Sequence, residues 1–154
     1  MASAEPLAAP AGRTLESILM AASRGVRRAY DGRLAGLGLK LSEAFLLGHV
    51  HRHGPMTQTQ LAESLGIGRA ATGALVDALE RKGLVERSAD AGDRRVWLVA
   101  TTERAAPVVG ELAAVDVALR AELWTGISRA ERRTVSEILL RLQGNLAAIL
   151  NENV

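Results

Sequence analysis

The residues of this chain best placed to do chemistry are arginines and hydroxyl or amide side chains gathered at turns. Asp93, Arg94 and Arg95 follow Gly92 in a short charged tip, Ala89-Asp-Ala-Gly-Asp-Arg-Arg95. A guanidinium fork suits phosphate oxygens and base edges, and a tip of this kind is narrow enough to enter a minor groove. Arg69 stands in the first turn of an expected helix, with Ala70, Thr72 and Gly73 beside it. Thr57, Gln58 and Thr59 open the preceding expected helix, where free backbone N–H groups attract a phosphate. Together these residues point to binding a polyanion through its backbone and grooves.

Other sets were weighed against that one. His49, His51 and His53 are all the histidines present. His49 and His53 stand four residues apart and share a helix face, so a metal-responsive regulator is one alternative, although Gly54 frays the helix end and His51 points elsewhere. Arg27 and Tyr30 on the first expected helix, with His49 and His53, form a second set: a cationic and aromatic cleft lining for a small anionic aromatic ligand. The competing assignment is a surface arginine and an interface tyrosine. Arg81, Lys82 and Arg87 read as solvated or backbone-facing rather than base-reading, and Trp97 and Trp124 as packing residues. No Gly-x-Ser-x-Gly elbow, phosphate-cradling Gly-Lys-Ser/Thr loop or His-Glu-x-x-His pattern occurs, so no enzyme is expected.

The elements that must position these groups follow from periodicity. Leu15, Ile18, Leu19, Ala22, Val26 and Tyr30 repeat at helical spacing from about Thr14 to Leu34, and Gly36 and Gly38 break the run. Ser42 is an N-cap candidate for a helix to about His51, with Phe45, Leu46 and Val50 inward. Thr57 and Gln60 fit a capping box that opens a short helix to about Ser64. Leu65-Gly66-Ile67 is a tight turn, and a helix from Gly68 to Lys82 buries Leu75, Val76 and Leu79. Gly83 stops it. Two short strands around the Arg94-Arg95 tip complete a winged helix-turn-helix, in which a helix enters the major groove and the wing reaches the neighbouring minor groove. Thr101 or Thr102 caps a further helix with Val108, Leu112, Val115, Leu119 and Leu123 on a near-heptad seam. Ser128 and Glu131 open the last helix, whose stripe is Val135, Ile138, Leu139, Leu142, Leu146 and Ile149.

Composition agrees with a mainly α chain carrying a small β-hairpin wing. Of 154 residues, 48% are hydrophobic but only 3% aromatic, so the core is built from Leu, Val, Ile and Ala. Cysteine is absent, which removes disulfides and thiol sensing and fits a cytoplasmic setting. No apolar run is long enough to span a membrane. The net charge of +2 is small, and residues 41–104 carry equal numbers of basic and acidic groups. The expectation of DNA as partner therefore rests on where the arginines sit. The neutral balance leaves a winged-helix protein-interaction module as the other alternative. No cofactor is expected.

The segment Leu61-Ala-Glu-Ser-Leu-Gly-Ile-Gly-Arg-Ala-Ala-Thr-Gly-Ala-Leu-Val-Asp-Ala-Leu-Glu-Arg-Lys-Gly-Leu-Val-Glu-Arg87, followed by Asp93-Arg94-Arg95, resembles the MarR family of winged helix-turn-helix transcription regulators. The resemblance runs from about Thr14 to Asn151. It implies a homodimer on pseudo-palindromic double-stranded DNA, often released by small aromatic acids. By family register Arg95 is the residue inserted into the minor groove and Asp93 its orienting partner. Gly68, Ala70, Ala71, Gly73 and Ala74 depart from the polar recognition helix usual in the family, which shifts weight from base hydrogen bonds to shape and wing contacts. The expected organisation is a disordered tail over 1–13, a helical dimerisation region over 14–41 and 102–154, and a winged helix-turn-helix over 42–101. The expected function is a repressor that a ligand releases.

Overall fold

The computed structural model describes residues 14–151, and the tail expected over 1–13 lies outside the described residues. Six helices and one hairpin follow in order: α1 (Leu15–Leu34), α2 (Leu41–His53), α3 (Gln58–Leu65), α4 (Arg69–Arg81), β1 (Val85–Ala89), β2 (Trp97–Thr101), α5 (Ala105–Leu123) and α6 (Arg129–Asn151). A single 3₁₀ turn, Ala35–Leu37, closes α1. No helix among the described residues is long and apolar enough to cross a membrane.

Local chemistry explains most of the boundaries. Thr14 caps α1, its hydroxyl accepting from the Ser17 N–H at 3.2 Å. Thr57 and Gln60 close the expected capping box on α3: the Thr57 N–H donates to the Gln60 side chain at 2.8 Å and the Gln60 N–H to the Thr57 hydroxyl at 3.2 Å. Gly66 and Gly83 end α3 and α4 at φ of 62° and 68°, where a side chain would be strained.

Two expected boundaries and one buried position differ. The N-cap of α2 is Lys40 rather than Ser42. The Lys40 N–H donates to the Glu43 carboxylate at 2.9 Å, and the Leu41 N–H donates to Asp31 of α1 at 2.7 Å. The helix is therefore capped two residues before Ser42, and a partner distant in sequence takes its first N–H. Helix α5 starts at Ala105, because Thr102 turns its hydroxyl to the Gly83 carbonyl at 2.6 Å instead of capping. Phe45 is 62% exposed, and the buried positions of α2 are Leu41, Glu43, Leu46, Leu47 and Val50.

The chain divides into two compact units, the first ending at Val117 and the second starting at Ala118. In the first, Leu34, Leu46, Leu47, Val50, Leu61, Val76, Leu79, Val85 and Val99 form one core, with Val108, Leu112 and Val115 packed against it. The end of α1 and the start of α5 therefore pack with the winged elements. The hairpin is antiparallel with Val85 opposite Thr101 and Ala89 opposite Trp97. Backbone hydrogen bonds of 2.8 and 3.1 Å between Val99 and Met56 tie the wing to the turn before α3. In the second unit, α6 carries Val135, Ile138, Leu139, Leu146 and Ile149 exposed along one stripe.

Candidate nucleic-acid interface

The wing tip is held by two carboxylates. Asp90 Oδ1 accepts from the N–H groups of Gly92 at 2.8 Å and Asp93 at 3.0 Å, as short polar side chains do in turns. Asp93 Oδ1 accepts from the Arg95 backbone N–H at 3.0 Å. Asp93 therefore orients Arg95 through the main chain and leaves its guanidinium available. Arg94 and Arg95 lie in the turn itself and not on a strand, so alternation between sheet faces does not separate them. Both are exposed and neither makes an ion pair among the described residues.

Arg95 lines a groove of about 410 Å³ together with Thr57, Gln58, Thr59, Arg87 and Trp97. The fold thus gathers two sets that are far apart in sequence, the wing arginine and the start of α3. The Thr57 hydroxyl is occupied by capping, while the Gln58 and Thr59 amide N–H groups have no acceptor among the described residues. These two N–H groups and the Arg95 fork are among the donors that the groove offers an anion.

Helix α4 presents Arg69, Ala70, Ala71, Ala74, Asp77, Glu80 and Arg81 outward. Thr72 corrects the expectation of a polar residue on that face: it is 0% exposed, and its hydroxyl donates to the Gly68 carbonyl at 3.1 Å. It shares the inward stripe of Val76 and Leu79, four and seven residues on, so it packs and does not reach out. Gly73 faces α3. A Cβ added there would meet the Gln58 amide nitrogen at 3.4 Å, so the small residue leaves room for that side chain.

Arg87, expected to be solvated or backbone-facing, has a larger part in the structure. From β1 its guanidinium pairs with Asp77 at 2.6 Å and with Glu80, while its Nε donates to the Gln58 side chain at 3.1 Å. Burial pulls its pKa down, but the hydrogen bond to Asp77 and the charge of Glu80 outweigh this and raise it. One cation so offsets part of the charge of two carboxylates on α4 and joins β1, α3 and α4. Asp77 and Glu80 share a helix face at three-residue spacing, a pattern visible in the sequence without its partner. Lys82 also has a carboxylate partner, Glu43 of α2, at 2.6 Å.

Of the four residues read as a ligand set, Arg27 stands in a cleft that Tyr30, His49 and His53 do not line. Arg27 lines a cleft of about 570 Å³ with Lys40, Phe45, Ala71, Ala74 and Leu75. Tyr30 instead donates to Asp116 at 2.7 Å and packs on the core. The rings of His49 and His53 stand 4.4 Å apart at the end of α2. Burial, then the neighbouring His53 and Arg52, lower the pKa of His49. No group of three or more His, Cys, Asp or Glu residues able to hold a metal occurs among the described residues.

Residues 37–96 match the pattern of the family described as MarR family. Among solved structures, the transcriptional regulator PA3341 is 34% identical, with 86% of this chain and 98% of that chain covered at a TM-score of 0.75. A probable transcriptional regulator from Pseudomonas aeruginosa is 26% identical, covering 84% and 96% at a TM-score of 0.75. S. aureus MepR, solved in complex with DNA, has the same fold at 21% identity, with 86% and 96% covered and a TM-score of 0.78.

Proposed function

Because the chain belongs to the MarR family of winged-helix, DNA-binding transcription regulators, we propose that it binds pseudo-palindromic promoter DNA as a homodimer in the cytoplasm and acts as a repressor released by a small anionic aromatic molecule. The observation that carries the DNA reading is the groove uniting Arg95 with the amides of Gln58 and Thr59. It supports a phosphate contact beside α4. With α4 in a major groove, a two-fold dimer would place its helices about 34 Å apart, one turn of the duplex. Arg69 and Ala70 would meet base edges or phosphate, Arg95 the minor groove, and Arg94 a flanking phosphate. Ala70, Ala71 and Ala74 contribute no bidentate hydrogen bonds, so shape and backbone would carry much of the recognition.

Selection of bound duplexes from fragmented genomic DNA gives the operator on which this reading is tested. Arg95→Ala is expected to weaken operator binding, to lower the slope of log K against log salt by about one, and to blunt preference for A·T-rich flanks. Arg94→Ala is expected to weaken binding less. Equal affinity of wild type and Arg95→Ala removes the wing contact.

The cleft beside Arg27 supports the ligand reading. Its volume lies in the usual range for small-molecule sites, roughly 300–1,000 Å³. Arg27 and Lys40 supply positive charge, the Glu43 carboxylate in the wall is paired with Lys82, and Phe45 adds an exposed aromatic face. Its wall includes Ala71 and Ala74 of α4, so an occupant would touch the helix proposed to enter DNA. The proposal rests on Arg27, Lys40 and Phe45, since Tyr30, His49 and His53 stand elsewhere. A ligand acts only through differential affinity for the two conformations. Arg27→Ala is therefore expected to weaken release by a phenolic acid while leaving DNA affinity without ligand unchanged. A panel whose binders, measured calorimetrically on free protein, leave operator affinity unaltered sinks this part alone.

A further inference from the structure

Trp97 is a tryptophan at 59% exposure, and the interface described so far makes no use of it. A single exposed apolar side chain needs no explanation in general. Its position here does. Trp97 begins β2 opposite Ala89, and Val99 two residues on is 1% exposed. Alternation along a strand puts both side chains on one face of the hairpin. Val99 fills the inner end of that face, and Trp97 continues it outward along the groove that holds Thr57, Gln58, Thr59 and Arg95.

The chemistry of that groove selects its occupant. It contains no carboxylate, and its charges are Arg95 and Arg87. The charge of Arg87 is taken up by Asp77 and Glu80, which do not line the groove, so the unpaired cation it presents is Arg95. Two unoccupied amide N–H groups lie at one side and an indole at the other. A ligand that fits alternates anionic oxygens with apolar carbon at short spacing. The sugar–phosphate backbone of duplex DNA does so, with a deoxyribose C–H face beside every phosphate. An indole offers both an apolar face and an N–H donor.

We infer that Trp97 is a DNA-contacting residue, its ring packing against a deoxyribose next to the phosphate held by Arg95 and the start of α3. This rests on the proposed DNA-binding function and adds to it a contact of a different kind. An uncharged side chain releases no counterion, so it changes affinity without changing the salt slope. A backbone contact also acts equally on every sequence.

The test uses the full-length protein with Trp124→Phe, which leaves Trp97 as its one tryptophan. Adding the selected operator is expected to quench Trp97 fluorescence and to shield it from acrylamide. Trp97→Ala is expected to weaken binding roughly three- to tenfold, equally for operator and unrelated duplex, with the salt slope of wild type. Because the side chain is exposed, thermal unfolding should match wild type, and Trp97→Phe should recover part of the loss. Unchanged acrylamide accessibility in the saturated complex, or wild-type affinity of Trp97→Ala, overturns the inference while the proposed function stands. A wild-type protein that binds no duplex at low salt overturns both.

Discussion

Aspartate at Leu142 and Leu146 is expected to abolish self-association and, with it, tight operator binding. Both leucines lie on the α6 stripe that includes Val135, Ile138, Leu139 and Ile149, and most of that stripe is exposed in the single chain. Contiguous apolar surface of this kind on a helix marks an interaction site. Burying one leucine stabilises an interface by about 1.5–3 kcal/mol. Replacing it by a carboxylate removes that gain and adds the desolvation of a charge that the leucine-rich stripe cannot pair. A two-fold axis doubles every substitution, so four carboxylates would enter one interface. The two winged units would then bind half-sites independently, and the loss of linkage is worth roughly a hundredfold or more in operator affinity. Sedimentation at micromolar concentration should show a dimer for wild type and a monomer for the variant, which should stay helical by circular dichroism. A wild-type monomer at that concentration, or a variant that still dimerises, refutes the dimer.

The elements that position the interface were legible because their signals are local. The Thr57–Gln60 capping box, the helix from Gly68 and the stop at Gly83 are each written within four or five residues. The hairpin followed from strand-forming residues around a Gly-containing tip. What the sequence hid depends on partners far along the chain. Asp31 of α1 takes the Leu41 N–H where α2 begins, one residue before Ser42. Arg87 finds Asp77 and Glu80 only because the turn at Gly83 sends β1 back along α4. Thr72 was misread although its signal was present: it lies four residues before Val76 and seven before Leu79, and that stripe outweighs its hydroxyl. Trp97 was read as packing from its type, whereas the alternation that pairs it with Val99 fixes the face and not the depth.

Arg87→Met is expected to cost operator affinity roughly ten- to a hundredfold while changing fold stability little. Methionine keeps much of the side-chain volume of the β1 position and removes the charge. Asp77 and Glu80 are partly exposed, so their release costs the fold about a kilocalorie per mole or less each. The effect on DNA is larger because the same carboxylates sit on α4, the helix proposed to approach phosphates. Two like charges about 7 Å from a phosphate oppose binding by about 2.4 kcal/mol each at an effective dielectric near 20, before salt screens them. Freeing Gln58 from the Arg87 Nε adds a loss of order in the groove. Since the opposition is electrostatic, Asp77→Asn and Glu80→Gln placed on the Arg87→Met background should recover most of the affinity. Arg87→Lys should recover less than the arginine, because one ammonium cannot span two carboxylates and the Gln58 oxygen. Filter binding or fluorescence anisotropy on the selected operator, at two salt concentrations, separates these variants. Arg87→Met within twofold of wild type, or a neutralised triple variant no better than Arg87→Met, would show that the network serves the fold and not the approach of α4 to DNA.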